Sequence, residues 1–170
     1  MPTHTWADRP TDVTDWLRVT GPIPRRTAFE DTGGDFFLDP DCATRDPIED
    51  DQAAFFDTSA GMVVLLGCGH AGVVNTVHHV RDLTAERPVL AVMGGMHMVA
   101  ASRERLDRTV DAIRESDVGL LVPAHCTGAR AQVRLGSEFP DRWEPCAVGA
   151  RFEFPIEAGP GRASPPPLRP

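Results

Sequence analysis

Three of the six histidines in the 170-residue sequence stand in glycine-rich turns that follow short apolar runs. The turns read Gly67-Cys68-Gly69-His70, Gly94-Gly95-Met96-His97 and Ala124-His125-Cys126-Thr127-Gly128. An isolated turn histidine more often hydrogen-bonds its own loop, but three in matching contexts favour metal ligation. Neutral imidazole binds Zn(II), Fe(II) and Mn(II) well. We therefore predict a divalent metal site formed by His70, His97 and His125, with zinc first and iron or manganese as alternatives.

The apolar runs before these turns, 62–66, 89–93 and 120–122, are short and indicate buried strands. Between them, apolar residues recur at helical spacing over 73–83, and Ser102 can cap a second helix that ends before Gly119. This alternation predicts an α/β fold. Because the carboxyl ends of strands in an open α/β sheet face one crevice, the three turns are expected at the same edge.

Weaker patterns predict the other elements. A hairpin joins 53–57 to 62–66, a third helix runs from about Ala129 to about Gly136, and 146–154 forms a final strand or a bent pair of strands. Residues 1–18 form a poorly determined N-terminal segment, and 19–157 form a partial domain. Residues 158–170, rich in Gly, Pro, Arg and Ser, are expected to form a disordered tail.

Several neighbours of the histidines could support the site or contact a substrate. Cys68 and Cys126 lie near predicted helix N-termini, where the pKa of a thiol is lowered. They could therefore bind metal, act as nucleophiles, or simply pack beneath the turns. Thr127 and Gly128 open a helix whose free N–H groups could hold a phosphate or carboxylate. Asn75 could orient a ligand loop through its amide or cap its own helix.

The remaining polar candidates carry weaker signals. Asp50 and Asp51 could place a carboxylate near the site, although such a pair more often forms a capped turn. His78 and Asp82 are i,i+4 partners, which is typical of a solvated helix face. Arg25 follows a proline and is more typical of a solvated side chain than of a phosphate ligand.

Composition excludes several classes of function. A net charge of −8 and a pI near 5.1 argue against nucleic acid or an anionic membrane as a partner. Lysine is absent, which excludes lysine Schiff-base and P-loop chemistry, and no apolar stretch reaches membrane-spanning length. The four cysteines indicate a reduced, cytoplasmic protein, and Cys42 and Cys146, which lack a motif, are predicted to pack.

The turns and their flanks resemble those of the metallo-β-lactamase fold superfamily. More narrowly, they resemble its dihydropterin-ribofuranosylaminobenzene-phosphate synthase-like branch. The matching pieces are 20–25 with Glu30, 50–53, 61–76, 94–98 and 123–128, within roughly residues 19–154. The stretch 61–76 is the most specific of them.

The resemblance implies the C-terminal half of an αββα sandwich with metal at one edge of two sheets. It implies that His70 and His125 are ligands, and that His97 lies at the same edge as a ligand or a substrate contact. The family's N-terminal His-x-His-x-Asp-His motif is missing, since the only histidine before His70 is His4. We therefore expect a partner chain that supplies the first half, a truncated gene product, or a start codon placed too far downstream. Half a sandwich leaves one face of its sheet exposed to water. We expect such a face to bind a partner chain or a second copy of this chain.

Two classes of function follow from the resemblance. The first is a metal-dependent hydrolase that attacks a phosphoester or ester, or a synthase-like relative that joins a pterin diphosphate to a ribofuranosyl-aminobenzene phosphate. Its substrate would be a small molecule, with phosphorylated compounds among the candidates. The second is a non-catalytic partner subunit or relic that at most binds metal. A thiol-dependent enzyme using Cys68 or Cys126 is a third alternative, and no catalytic residue is assigned.

Overall fold

The structure is a computed structural model that describes residues 6–154. Six strands form one sheet whose spatial order is the same as their order in the chain. They are β1 (Thr11–Asp12), β2 (Leu17–Val19), β3 (Ala53–Thr58), β4 (Gly61–Leu66), β5 (Val89–Gly95) and β6 (Leu120–Ala124). Neighbours from β1 to β4 are antiparallel, and β4, β5 and β6 are parallel. The predicted α/β class and the hairpin between β3 and β4 are confirmed.

Helices make the crossovers between the parallel strands, because parallel neighbours cannot be joined by a tight turn. They are α1 (Val73–Leu83) and α2 (Arg103–Glu115), and α3 (Ala129–Glu138) follows β6 after a single 3-10 turn (His125–Thr127). The Ser102 side chain accepts a hydrogen bond from the backbone N–H of Arg105, which confirms it as the N-cap of α2. Among the described residues, no helix is both long enough and apolar enough to cross a membrane.

The main hydrophobic core lies between the three helices and one face of the sheet. Val77, Val110 and Leu135 of the helices share this core with Val64 and Val92 of the central strands, and all five are at most 1% exposed. Since side chains alternate across a strand, the residues between them point to the opposite face.

That opposite face has a thinner cover. Phe56 of β3 makes edge contacts with Trp16 and with Phe154, at ring-centroid distances of 6.1 Å and 6.2 Å. Leu65 of β4 is 37% exposed. The chain after α3 therefore crosses to this face and shields only part of it.

Three sequence predictions differ from the structure. No strand forms within 146–154; pairing beyond β6 comes earlier, from a bridge between Trp143 and Leu121, and residues 144–151 are exposed. Cys42 and Cys146, predicted to pack, are exposed. The strands β1 and β2 lie in a region where none was predicted, because they are very short and form through pairing, β2 with β3 and β1 with β2. The predicted tail, 158–170, lies outside the described residues.

Candidate metal centre

The three histidine turns meet at the carboxyl ends of β4, β5 and β6. The parallel register places Leu66 beside Gly94, and Gly95 beside Ala124. Backbone hydrogen bonds then join the turns, since Gly95 N–H donates to the Gly67 carbonyl at 3.1 Å. The buried hydroxyl of Thr127 accepts from the backbone N–H of Met96 at 3.1 Å. The predicted meeting of the turns at one sheet edge is therefore what the structure shows.

His70 and His97 form a close pair, with ring centroids 4.0 Å apart and planes inclined by 39°. Each ring also faces a backbone carbonyl. His70 Nδ1 lies 3.1 Å from the oxygen of Thr32, and His97 Nε2 lies 3.2 Å from the oxygen of Gly33. A carbonyl oxygen only accepts, so each of these ring nitrogens must carry the proton. The lone pairs of the neutral rings are therefore at His70 Nε2 and His97 Nδ1.

The loop 31–36 covers this histidine pair. The ring of Phe36 lies 5.0 Å from that of His70 and 6.1 Å from that of His97. Gly33 has a φ of +74°, and a Cβ at this position would overlap Cδ2 of His97. Only glycine combines this backbone conformation with so close an approach to the imidazole. The loop thus fixes both rings through its carbonyls and shields one side of the pair.

Two properties of His97 fit metal ligation. Its Nδ1 is buried and has no hydrogen-bond partner among the described residues, which is costly for a polar atom that binds nothing. Burial, and next the neighbouring His70, lower the pKa of His97 and favour the neutral form that binds metals. His97 also has a positive φ of 42°, as does His125 with 46°.

His125 has different neighbours. Its ligand nitrogen and the Sγ atoms of Cys68 and Cys126 all lie within 4.8 Å of one another, and His70 and His97 are outside this group of three. The imidazole of His125 is exposed and the two thiols are half-buried. Burial, and next the Cys68 thiol, raise the pKa of Cys126. The predicted lowering of this pKa is thus wrong for Cys126, because desolvation outweighs the backbone hydrogen bonds to its sulfur.

Two buried side chains attach the loop before the histidine pair to helix α1. The Oδ1 atom of Asn75 accepts from the backbone N–H groups of Arg26 and Thr27 at 2.8 Å and 3.0 Å. Its Nδ2 donates to the Ala71 carbonyl at 2.8 Å. Asn75 therefore ties this loop to the turn that carries His70, one of the two alternatives considered for it from sequence.

Glu30 closes the amino end of α1 from outside the helix. Its carboxylate accepts from the backbone N–H groups of Val74 and Asn75 at 2.9 Å and 2.8 Å, and from the Thr27 hydroxyl at 2.9 Å. Burial raises the pKa of Glu30, and these hydrogen bonds counteract the shift in part. The sequence did not indicate this role for Glu30, because its backbone partners on α1 lie 44 and 45 positions away in the chain.

Arg25 and Asp51 both hold the peptide unit that joins His70 to Ala71. The guanidinium of Arg25 donates to the His70 carbonyl at 2.7 Å and to the Pro47 carbonyl at 2.8 Å. The carboxylate of Asp51 accepts from Ala71 N–H at 2.6 Å. The expectation of a solvated Arg25 is thus wrong, since three residues distant in sequence share its hydrogen bonds.

His78 and Asp82, the i,i+4 partners on α1, do not form an ion pair with each other in the described residues. Asp82 pairs with Arg26, with the guanidinium and carboxylate 2.6 Å apart and both side chains about half exposed. His78 stays on the partly exposed face of α1.

A groove beside His125 could receive a substrate. It has a volume of about 540 Å³ and is lined by His125, Gln132, Trp143 and the start of α3 at Gly128 and Ala129. No side chain caps this end of α3, and its first turn holds no acidic residue. A larger cavity of about 830 Å³, lined by Asp12, Asp57 and Arg87 among others, lies near the opposite end of β4 and away from the histidines.

Two curated proteins are similar to this chain in sequence. No protein-family model matches the chain. It is 30% identical over 109 residues to the 7,8-dihydropterin-6-methyl-4-(beta-D-ribofuranosyl)-aminobenzene-5'-phosphate synthase of Methanocaldococcus jannaschii, a match that covers 64% of this chain and 37% of the synthase. It is 29% identical over 128 residues to an uncharacterized protein of the same organism, covering 75% of this chain and 46% of that protein.

A solved structure extends the likeness to three dimensions. The crystal structure of Tm1679, a metal-dependent hydrolase of the β-lactamase superfamily, matches with a TM-score of 0.74 and 30% identity. The match covers 86% of this chain and 57% of Tm1679. The fold and the sheet-edge site thus define a protein of the metallo-β-lactamase fold. Within that class, the likeness to the methanogen synthase confirms the resemblance to the dihydropterin synthase-like branch. The matched stretches cover less than half the length of these two curated relatives.

Proposed function

We propose that this chain carries part of the metal centre of a metallo-β-lactamase-like hydrolase, with His70, His97 and His125 as ligands of divalent metal. The observation that carries the proposal is the orientation of the His70 and His97 rings. Each is fixed by a backbone carbonyl that leaves the other ring nitrogen able to bind. Histidine ligands of metals are commonly held in this way. Zinc is the first candidate, with iron and manganese as alternatives.

The residues present fit such an ion on three grounds. His97 has a buried nitrogen without a partner among the described residues, and its lowered pKa keeps it neutral. His125 is exposed beside a groove through which an ion or substrate can enter. A bound divalent ion would supply Lewis-acid polarisation of an electrophilic substrate. The protein would orient the ligands through the carbonyls of Thr32 and Gly33 and limit solvent access with Phe36.

A small phosphorylated substrate is the second part of the proposal. The groove beside His125 meets the uncapped amino end of α3, and backbone N–H groups at such an end attract anions. The likeness to the methanogen synthase supports a substrate of pterin type. The net charge of −8 argues against nucleic acid as the substrate. The four free cysteines support a reducing, cytoplasmic location.

We further propose that the chain acts together with a half that supplies the missing His-x-His-x-Asp-His ligands. Two observations support this. The motif does not occur in the sequence, and the matched stretches cover less than half of the two curated relatives. The second candidate function is a non-catalytic metal-binding subunit. A partner chain or a second copy could cover the partly exposed face that carries Leu65.

Metal analysis and turnover separate these candidates. We expect purified protein to hold about one equivalent of metal by mass spectrometry, with light scattering on the same sample giving the oligomeric state. His125→Ala should lose this metal, while His78→Ala, on the partly exposed side of α1, should keep it. Hydrolysis of bis(p-nitrophenyl) phosphate that needs His125 would support the hydrolase. Metal without turnover would support the non-catalytic subunit, and a folded protein that binds no zinc, iron or manganese would contradict both.

A further inference from the structure

The turn after β4 and the turn after β6 bring two thiols and one imidazole together at the sheet edge. The ligand atoms of Cys68, Cys126 and His125 lie within 4.8 Å of one another. We propose that these three residues form a thiolate-rich zinc site beside the His70–His97 pair. The proposal rests on the metal-binding role assigned above to His125, and for Cys68 and Cys126 it selects metal binding from the alternatives that the sequence left open.

The end of β5 allows the two cysteine turns to converge. Gly95 lies between them, and a Cβ on it would stand 2.7 Å from Cys126 Sγ and 3.1 Å from Cys68 Cα. Cys126 Sγ also lies 3.3 Å from the Cys68 carbonyl oxygen. Any side chain at position 95 would push the two turns apart. The glycine therefore permits a donor cluster that residues from β4 and β6 could not otherwise form.

The burial of the three residues favours a binding site over simple packing. Neither thiol belongs to the buried hydrophobic core, and both are only half-buried. His125 is exposed, which gives an ion a path to the thiols. Two thiolates and an imidazole suit borderline-soft zinc better than magnesium or calcium. Three protein ligands leave a fourth tetrahedral position open, as in catalytic rather than structural zinc sites.

Cobalt is a direct probe, since Co(II) replaces zinc and bonds between cobalt and thiolate give a strong near-ultraviolet charge-transfer band. We expect this band when Co(II) is added to the fully reduced chain. Cys68→Ser and Cys126→Ser should each reduce it, and the double variant should abolish it. Cys42→Ser and Cys146→Ser are matched controls, because both cysteines are free and exposed, and they should leave it unchanged.

Thiol labelling keeps the test decisive if a serine variant fails to fold. In the unmodified chain, zinc should protect two of the four free thiols from an aromatic disulfide reagent. Cobalt that binds without the charge-transfer band, or zinc that protects no thiol, would overturn the thiolate site. The proposed function would survive that result if His125→Ala still removed the metal. Failure of the folded chain to bind any metal would instead overturn both proposals.

Discussion

Replacing Gly33 with alanine tests whether the loop over the histidine pair controls metal binding. The new Cβ would overlap Cδ2 of His97, and Gly33 also supplies the carbonyl that faces His97 Nε2. The substitution therefore moves the imidazole, the loop, or both. It removes no ligand atom, so any loss of metal affinity must come from altered ligand orientation.

The cost of Gly33→Ala in free energy of unfolding has two parts, one from the backbone conformation and one from packing. A non-glycine residue at a left-handed φ costs roughly 1–2 kcal/mol, and overpacking of a close contact costs roughly 1–3 kcal/mol. We therefore expect Gly33→Ala to lower the free energy of unfolding by about 2–5 kcal/mol. Gly149→Ala is the matched control. Its φ is +88° but nothing lies within 4 Å of its Cβ position, so only the backbone cost of about 1–2 kcal/mol applies.

Metal affinity gives the second and more specific measure. Loss of the groups that orient a ligating histidine typically weakens metal binding about 10–100-fold. We expect a weakening of that order for Gly33→Ala in competition with a chromophoric zinc chelator, and none for Gly149→Ala. Urea denaturation of the same samples gives the free energy of unfolding. If Gly33→Ala matches Gly149→Ala in both measurements, the loop does not position His97 and this reasoning is wrong.

Three further predictions follow from individual side chains. His70→Ala should lower the metal content measured by mass spectrometry, because it removes one ligand and leaves the group of Cys68, His125 and Cys126 intact, while His78→Ala should not; equal metal content in both would contradict the assignment. Burial raises the pKa of Glu30 above its usual value of 4.5, so the folded state holds this proton more tightly than the unfolded state. Its contribution to stability is therefore full at lower pH and is lost as pH rises through the folded-state pKa. Glu30→Gln should flatten this decline in urea midpoints measured across pH, and an unchanged profile would exclude Glu30 as its source. Ser102→Ala removes the N-cap of α2 and should cost about 1 kcal/mol in urea denaturation, whereas Ser137→Ala, in the exposed part of α3, should cost much less.

The central strands were predictable because their signal is local. Each of β4, β5 and β6 is an apolar run that ends at a glycine or in a small-residue turn, and α1 keeps a clear helical spacing. β2 carries no such signal. Its three residues include Arg18, and the strand exists because Leu17 and Val19 pair with Phe56 and Ala54. Pairing partners so far along the chain leave no trace in local periodicity.

The location of the candidate site could be predicted from the sequence, but the division of its side chains into two groups could not. Three turns after parallel strands must share one sheet edge, and they do. The sequence could not show that His125 would face two thiols while His70 and His97 stack together. That division depends on backbone conformation, including the positive φ of His97 and His125. The loop carbonyls that fix the rings come from positions 38 and 64 residues away.

The strand order bears on how the protein is made. Because the sheet follows chain order, each strand emerging from the ribosome can pair with a neighbour already synthesised, without waiting for a later insertion between them. Emerging chains fold from the amino end. The turn with Cys68 is therefore finished well before the one with Cys126, and its thiol stays without its partner until β6 adds to the edge. Pairing of Leu121 with the backbone of Arg142 and Glu144 then covers that growing edge. On this order, the metal centre is among the last features of the sheet to be completed during synthesis.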